Sequence, residues 1–293
     1  MKRKDAVKLR RGKSVVYISV NLSRPAVIPC AKALIDILNE YKVCILMNET
    51  SKEVFSDKNV SFVNYEKGFS EAEIIFVVGG DGTVLRAAKN ALIYDKPILG
   101  INAGRLGFLS DIESDDLSSV RKLFTEGCRV EKRMVLNVKV GNDSVYAIND
   151  MFITLNEPGK IAEYFVNCEG REVCRYRADG IVLATPDGST GYSMSAGGPV
   201  LDTALNAVIM TPVCPHSLIS RSILFSSDKE IFVGSAFNGD EDKLDIIVDG
   251  EEKFRIKKGQ NVSVKASEKS IKFVNISGRG FYEVLNQKII GRR

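Results

Sequence analysis

The run Ile74–Ala88, IIFVVGGDGTVLRAA, constrains the fold of this chain more than any other stretch. A strand-like apolar run, Ile74–Val78, ends in Gly79-Gly80-Asp81-Gly82-Thr83, and Val84, Leu85, Ala88 and Leu92 follow at helical spacing. A strand that turns straight into a helix is half of a strand–helix–strand unit, and such units build parallel sheets covered on both faces. The alternation recurs on either side. Val15–Val20 is apolar, Ile28, Ala31, Leu34, Ile35 and Leu38 mark a helix, and Val43–Met47 and Pro97–Ile101 read as further strands. The expected N-terminal domain is therefore α/β. In such sheets ligands sit beyond the carboxyl ends of the strands, where Asp81 and Asn102 both fall.

After Cys128 the rhythm changes to short runs separated by turns, among them Met134–Val140, Met151–Leu155, Tyr164–Cys168, Ile181–Ala184, Leu244–Val248, Asn261–Lys265 and Ile271–Asn275. That spacing predicts a β-rich second domain. The expected organisation is an α/β domain over 14–128 and a β-rich domain over 129–276. The segment 277–293, helical over Phe281–Ile290, is expected to pack back on the first domain. Residues 1–13 carry seven Lys/Arg and one Asp, against a net charge of +4 for all 293 residues, and read as a basic, flexible tail. No motif supports nucleic acid as its partner. With 44% hydrophobic and 27% charged residues, and no apolar run near the roughly 20 residues a membrane span needs, a soluble protein is expected. No apolar block follows the charged N-terminus, so no secretory signal is read. The six cysteines form no C-x-x-C pair, which favours free thiols and a cytoplasmic setting.

Three glycine-rich sites carry the chemistry. At Gly79–Thr83 (Gly79, Gly80, Asp81, Gly82, Thr83), backbone N–H groups at a helix start can hold anionic oxygens. Neither a Walker loop nor G-x-G-x-x-G is present. Read alone, the turn is equally a structural one in which Asp81 caps the helix. Residues 102–108, NAGRLGF, form a second strand-end loop in which Arg105 can neutralise phosphate, although read alone its glycines more simply serve the turns of the loop. The third site, Tyr176–Asp202, packs hydroxyls, glycines and Tyr192 around Thr185–Ser195, groups suited to reading a nucleoside. His216, the only histidine, lacks an evident orienting partner and reads as structural.

GGDGT at 79–83, NAGRLGF at 102–108, Asn149-Asp150, ADGIVLATPDGSTGYSMSAGGP at 178–199, PVCPHSLISR at 212–221 and VDGE at 248–251 together resemble the NAD kinase family, in matching order over about residues 15–290. GGDGT alone is less specific, because lipid kinases and phosphofructokinases resemble it. The resemblance implies a Rossmann-like N-terminal domain, a C-terminal β-rich, β-sandwich-like domain and an active site between them. It implies transfer of a phosphoryl group from ATP, another nucleoside triphosphate or polyphosphate to the 2′-hydroxyl of the adenosine ribose of NAD, with Mg²⁺ on the phosphates. Asp81 maps onto the family's proton acceptor, which explains a carboxylate inside a phosphate-holding turn. Asn149, Asp150, Lys160, Arg177, Asp179, Thr185, Thr190, Gly191, Tyr192, Ser193, Met194, Ser195, Asp249 and Glu251 map onto dinucleotide contacts, and Gly79, Gly80, Gly82, Thr83, Asn102, Arg105 and Phe108 onto nucleotide contacts. A homodimer or homotetramer is the family habit.

Several positions depart from the family pattern. Ala178 stands for Gly, Gly191 for Ala, Asp187 for Thr, Ser222 for Pro and Glu251 for Gln. Asp187 adds negative charge near the expected site. A lipid or sugar acceptor is the competing enzymatic reading, and the 102–108 and 185–199 motifs count against it. A non-catalytic dinucleotide sensor would be expected to lack Asp81. An NAD-dependent oxidoreductase would need the absent G-x-G-x-x-G.

Overall fold

A computed structural model describes residues 6–104, 107–156, 161–217, 220–236, 244–256 and 260–290. The chain divides into two compact units, Met1–Arg133 with Ile271–Arg293, and Met134–Ser270.

The first unit is a parallel sheet in the order Ser61–Val63, Cys44–Asn48, Val15–Val20, Ile74–Gly79, Pro97–Asn102, joined at the last strand by the end of Val262–Asn275 through Lys272↔Pro97 and Phe273↔Ile98. Every residue of Ile74–Gly79 is buried, as a strand covered on both faces requires. The helix Val27–Glu40 turns Val27, Cys30, Ala31, Leu34, Ile35 and Leu38 inward, one apolar stripe at helical spacing. Helix Asp81–Ile93 does the same with Val84, Ala87, Ala88, Ala91 and Leu92. The strand order reverses between Val15–Val20 and Ile74–Gly79, so their carboxyl ends flank the topological switch point. The glycine turn is therefore at the place where such sheets bind ligands.

The basic head is not a loose tail over its described residues. Ala6–Val7 pairs with Cys128 and Arg129, Leu9 is 2% exposed, and the Leu9 N–H donates to the Leu123 carbonyl at 2.8 Å. Two apolar residues inside a charged stretch were enough to fix it, and net charge concealed them. Phe281–Leu285 is a short helix that continues as a π-helical turn through Asn286–Ile290.

The second unit contains two antiparallel sheets. One runs Arg171–Ala178, Ala162–Cys168, Ile231–Ala236 and then Val262 onward. The other runs Ile223–Ser226, Ala207–Val213, Gly180–Ala184, Asp150–Leu155, Leu244–Val248, Glu252–Ile256. Tyr164, Val166 and Val233 of the first meet Met151, Ile153, Leu183 and Ile246 of the second in one buried core, the packing of a β-sandwich. Among the described residues all six cysteines are unbridged, and no helix is long and apolar enough to cross a membrane.

Candidate active site

In the first unit the two glycine-rich loops converge on one carboxylate. Gly80 is extended and precedes the first turn of Asp81–Ile93. Its carbonyl accepts the Thr83 N–H at 2.8 Å and the Val84 N–H at 3.1 Å, so the Asp81 and Gly82 amides are the donors left at the helix start. The Asp81 carboxylate accepts the Phe108 N–H at 2.7 Å on Oδ2 and the Leu109 N–H at 3.1 Å on Oδ1. Gly107 permits this approach, since a Cβ there would lie 1.8 Å from Asp81 Oδ1. Asp81 is thus more than a helix cap. Its side chain is held by the loop that the sequence placed opposite it, and is still 37% exposed.

Asn102 is 1% exposed and is occupied with its own loop. Its Nδ2 donates to Glu113 Oε2 at 2.6 Å and its Oδ1 accepts the Gly104 N–H at 3.1 Å. Asn102 therefore braces its own loop with both ends of its amide. Arg105 and Lys160 lie outside the described residues.

Beside the switch point is a cavity of about 560 Å³ lined in part by Tyr17, Asn21, Asn48, Thr50, Thr83 and Arg86. Tyr17 is wholly buried and its hydroxyl has no hydrogen-bond partner. The Arg24 guanidinium comes within 3.0 Å of where a Cβ on Gly80 would be, which sets a cation against the glycine turn. Sequence reasoning missed Tyr17, Asn21, Arg24 and Arg86. The only signal was the polar run Asn-Leu-Ser-Arg-Pro directly after the first strand.

In the second unit the Asn149-Asp150 turn is organised by Asp249. This residue is 8% exposed with φ 51°, and its carboxylate accepts the N–H groups of Ile148 at 3.1 Å, Asn149 at 2.8 Å and Asp150 at 3.1 Å. Three amides occupy the group expected to touch ligand, so Asp249 positions the turn. Gly188 packs against the same turn so closely that a Cβ would lie 2.0 Å from the Asn149 carbonyl oxygen.

The hydroxyls of the third loop build that loop. Thr185 donates to the Ile148 carbonyl at 2.7 Å and accepts the Gly188 N–H at 3.0 Å, Thr190 donates to the Asp187 carbonyl at 2.9 Å, and Ser193 shares a 2.8 Å bond with Thr211. Thr185, Thr190 and Ser193 thus brace the loop through these bonds, and a hydroxyl oxygen that donates one bond keeps lone pairs with which it can also accept from a ligand. Tyr192 behaves differently: it is 41% exposed and stands edge-on to Phe152, with centroids 5.0 Å apart. Arg177, Asp179, Ser195 and Glu251 are exposed, and Gly191 and Met194 half-buried. The Asp179 carbonyl accepts the hydroxyls of Thr154 at 2.8 Å and Tyr164 at 3.2 Å, which fixes its backbone while its side chain faces water.

Burial, and after it the charge of Asp249, push the Asp150 carboxyl up from 3.8 to about 7, partly offset by the Tyr192 N–H. Asp249, with three amide donors, carries the negative charge of the pair. An acid whose folded pKa is raised adds stability that is full below its unfolded pKa and declines as pH rises toward the folded one. Between pH 4 and 7 the protein is therefore expected to lose stability relative to Asp150→Asn, by about 4 kcal/mol in total. Denaturant unfolding of both proteins across that range checks it; parallel pH profiles would refute it.

Amides grouped around a fixed carboxylate at a switch point suit phosphoryl transfer to a hydroxyl, which puts the chain among the nucleotide-dependent kinases. Residues 17–128 match the ATP-NAD kinase N-terminal domain family and residues 148–276 the ATP-NAD kinase C-terminal domain family. The chain belongs to the NAD kinase family, and it phosphorylates NAD using ATP. The NAD kinase of Natranaerobius thermophilus is 32% identical over 277 residues, covering 92% of this chain and 96% of the relative. That of Lachnoclostridium phytofermentans is 36% identical over 228 residues, covering 74% and 80%. The fold is that of yeast NADH kinase complexed with NADH, at TM-score 0.86 and 22% identity over 99% of this chain and 94% of that one. An Archaeoglobus fulgidus NAD kinase in complex with ATP shares it at TM-score 0.73 and 22% identity, over 94% and 97%.

Proposed function

We propose that Asp81 accepts the proton of the 2′-hydroxyl of the adenosine ribose of NAD as that oxygen attacks the terminal phosphorus of the donor. The observation that carries this is the pair of amides, Phe108 and Leu109, that hold the carboxylate rigidly at the start of Asp81–Ile93. A ribose hydroxyl is a weak nucleophile, and a fixed acceptor removes its proton as the new P–O bond forms. The Asp81 and Gly82 amides at the helix start and Arg24 hold the donor phosphates. The donor nucleoside takes the cavity beside Thr83 and Arg86, which lie one turn along the same helix.

The second unit's Asn149-Asp150 turn, with Tyr192, Arg177 and Asp179, binds the dinucleotide. With its carboxyl pushed up to about 7, Asp150 is partly protonated near neutral pH, and in that form it can donate its O–H to the NAD diphosphate. Among the described residues no group of three or more His, Cys, Asp or Glu side chains forms a metal cage. The family resemblance supports Mg²⁺ as an ion that accompanies the donor phosphates. Unbridged cysteines support a cytoplasmic setting. The family resemblance supports a homodimer or homotetramer.

The purified enzyme, given NAD with ATP, another nucleoside triphosphate or inorganic polyphosphate, with and without Mg²⁺, is expected to form NADP with ATP and Mg²⁺. No NADP under any condition would remove the reading, and the ranking of donors sets their preference.

A further inference from the structure

The C-terminal segment places a cation on the carboxylate just described. The π-helical turn Asn286–Ile290 brings Lys288 Nζ to 3.7 Å from Asp81 Oδ2, the same oxygen that accepts the Phe108 N–H. The ammonium also stands 3.8 Å over the Phe108 ring, and the lysine side chain is only 13% exposed. A lysine on a free surface keeps its head in water. This one is held between a carboxylate and an aromatic face, a geometry that attracts a cation from both sides. The Asp81 carboxylate is thereby fixed by two amides and an ammonium drawn from two segments far apart in sequence.

We propose that Lys288 is a positioning residue for phosphoryl transfer, holding the Asp81 carboxylate in the orientation that accepts the ribose proton and offsetting its charge where the donor phosphates arrive. The inference rests on Asp81 being the proton acceptor. A carboxylate in a phosphate-holding turn repels the polyanion it works beside, and at contact distance a unit charge of opposite sign largely cancels that repulsion. Oδ2 is shared by Lys288 and the Phe108 amide, so loss of the ammonium leaves the carboxylate anchored by amides alone and its charge uncompensated. At 3.7 Å Lys288 steadies the carboxylate as an ion pair and leaves its oxygens lone pairs with which to accept the ribose proton. Lys288 also lies in the same unit as Asp81, so the contact needs no rearrangement of the second unit.

The test compares Lys288→Met, which keeps length and loses charge, with Lys288→Arg, each in the full-length enzyme and again in an Asp81→Asn background. Lys288→Met is expected to lower kcat about tenfold or more, a magnitude typical of a placed charge at a reacting centre, with the KM for NAD within about twofold. Lys288→Arg should restore most of the loss, because a guanidinium can bond the carboxylate and stack on Phe108. In the Asp81→Asn background Lys288→Met should change the residual rate by less than about twofold, since residues acting as a unit are not additive. Near-normal kcat in Lys288→Met, an equal loss in the Arg variant, or the same factor in both backgrounds would each overturn the proposal. Near-normal turnover in Asp81→Asn alone would remove the acceptor assignment instead, and so separates the two failures.

Discussion

Replacing Asp81 by Asn is expected to lower kcat by about 10²- to 10⁴-fold, the contribution of a positioned proton acceptor, while leaving the KM for NAD within a few-fold. The amide keeps the size of the carboxylate and one acceptor oxygen, so the turn Gly79–Thr83 should hold its shape. It cannot take a proton from the ribose hydroxyl. Its NH₂ also turns a donor toward either the Phe108 or the Leu109 amide, which now bond Oδ2 and Oδ1. The loop at 107–109 should therefore loosen, and weaker binding of the donor is expected alongside the loss of turnover. Calorimetric titration with NAD separates the effects: intact NAD affinity with collapsed kcat is the outcome that supports the acceptor role. A variant that kept turnover within tenfold would be incompatible with it.

The second large effect is expected at Asp249. Asp249→Ala removes the acceptor of three amides, Ile148, Asn149 and Asp150, in a buried turn. An unsatisfied buried donor costs about 1–3 kcal/mol, so a total loss of about 3 kcal/mol or more is expected even where water repairs part of it. NAD affinity should fall with it, because Asn149 and Asp150 depend on that turn. Asp249→Asn should recover part of the loss, since Oδ1 alone serves both Asn149 and Asp150. The pH dependence should also flatten in the Ala variant, because one of the two causes that raise Asp150 is gone. Denaturant midpoints for the three proteins decide it, and equal stability of wild type and Asp249→Ala would exclude the bracing role.

What the sequence made legible follows from how locally each feature is encoded. Ile74–Ala88 carries its own strand, turn and helix, and its place at the switch point was readable because glycines and apolar spacing lie within fifteen consecutive residues. Ser61–Val63 and Tyr65–Glu71 were not read, since three- and seven-residue elements give too few periods for a pattern. Val262–Asn275 is one strand but reads as two, because Lys265–Ser270 interrupts the apolar run. The site shows the same limit. Motif and spacing pointed to Asp81, Asp150 and Tyr192 as well as to Thr185, Ser193 and Asp249, yet gave no sign that the last three also brace their loops. That bracing depends on which backbone amides come near, and Ile148 and Asp249 are 101 residues apart. Lys288 was invisible for the same reason: its partner Asp81 lies far upstream, and the segment that carries Lys288 has no motif.

The first unit is assembled from both ends of the chain, with Lys272 and Phe273 completing its sheet beside Pro97 and Ile98, and Val274 and Ile276 entering its core. During synthesis the polypeptide emerges in order, so this sheet must wait with an open edge until all of the second unit has left the ribosome. A chain stalled before residue 271 would carry every glycine-rich motif and still lack both the closing strand and the lysine at Asp81. Phosphorylating capacity is thus tied to residues translated after the second unit, and a chain that stops short of them should stay idle as an enzyme.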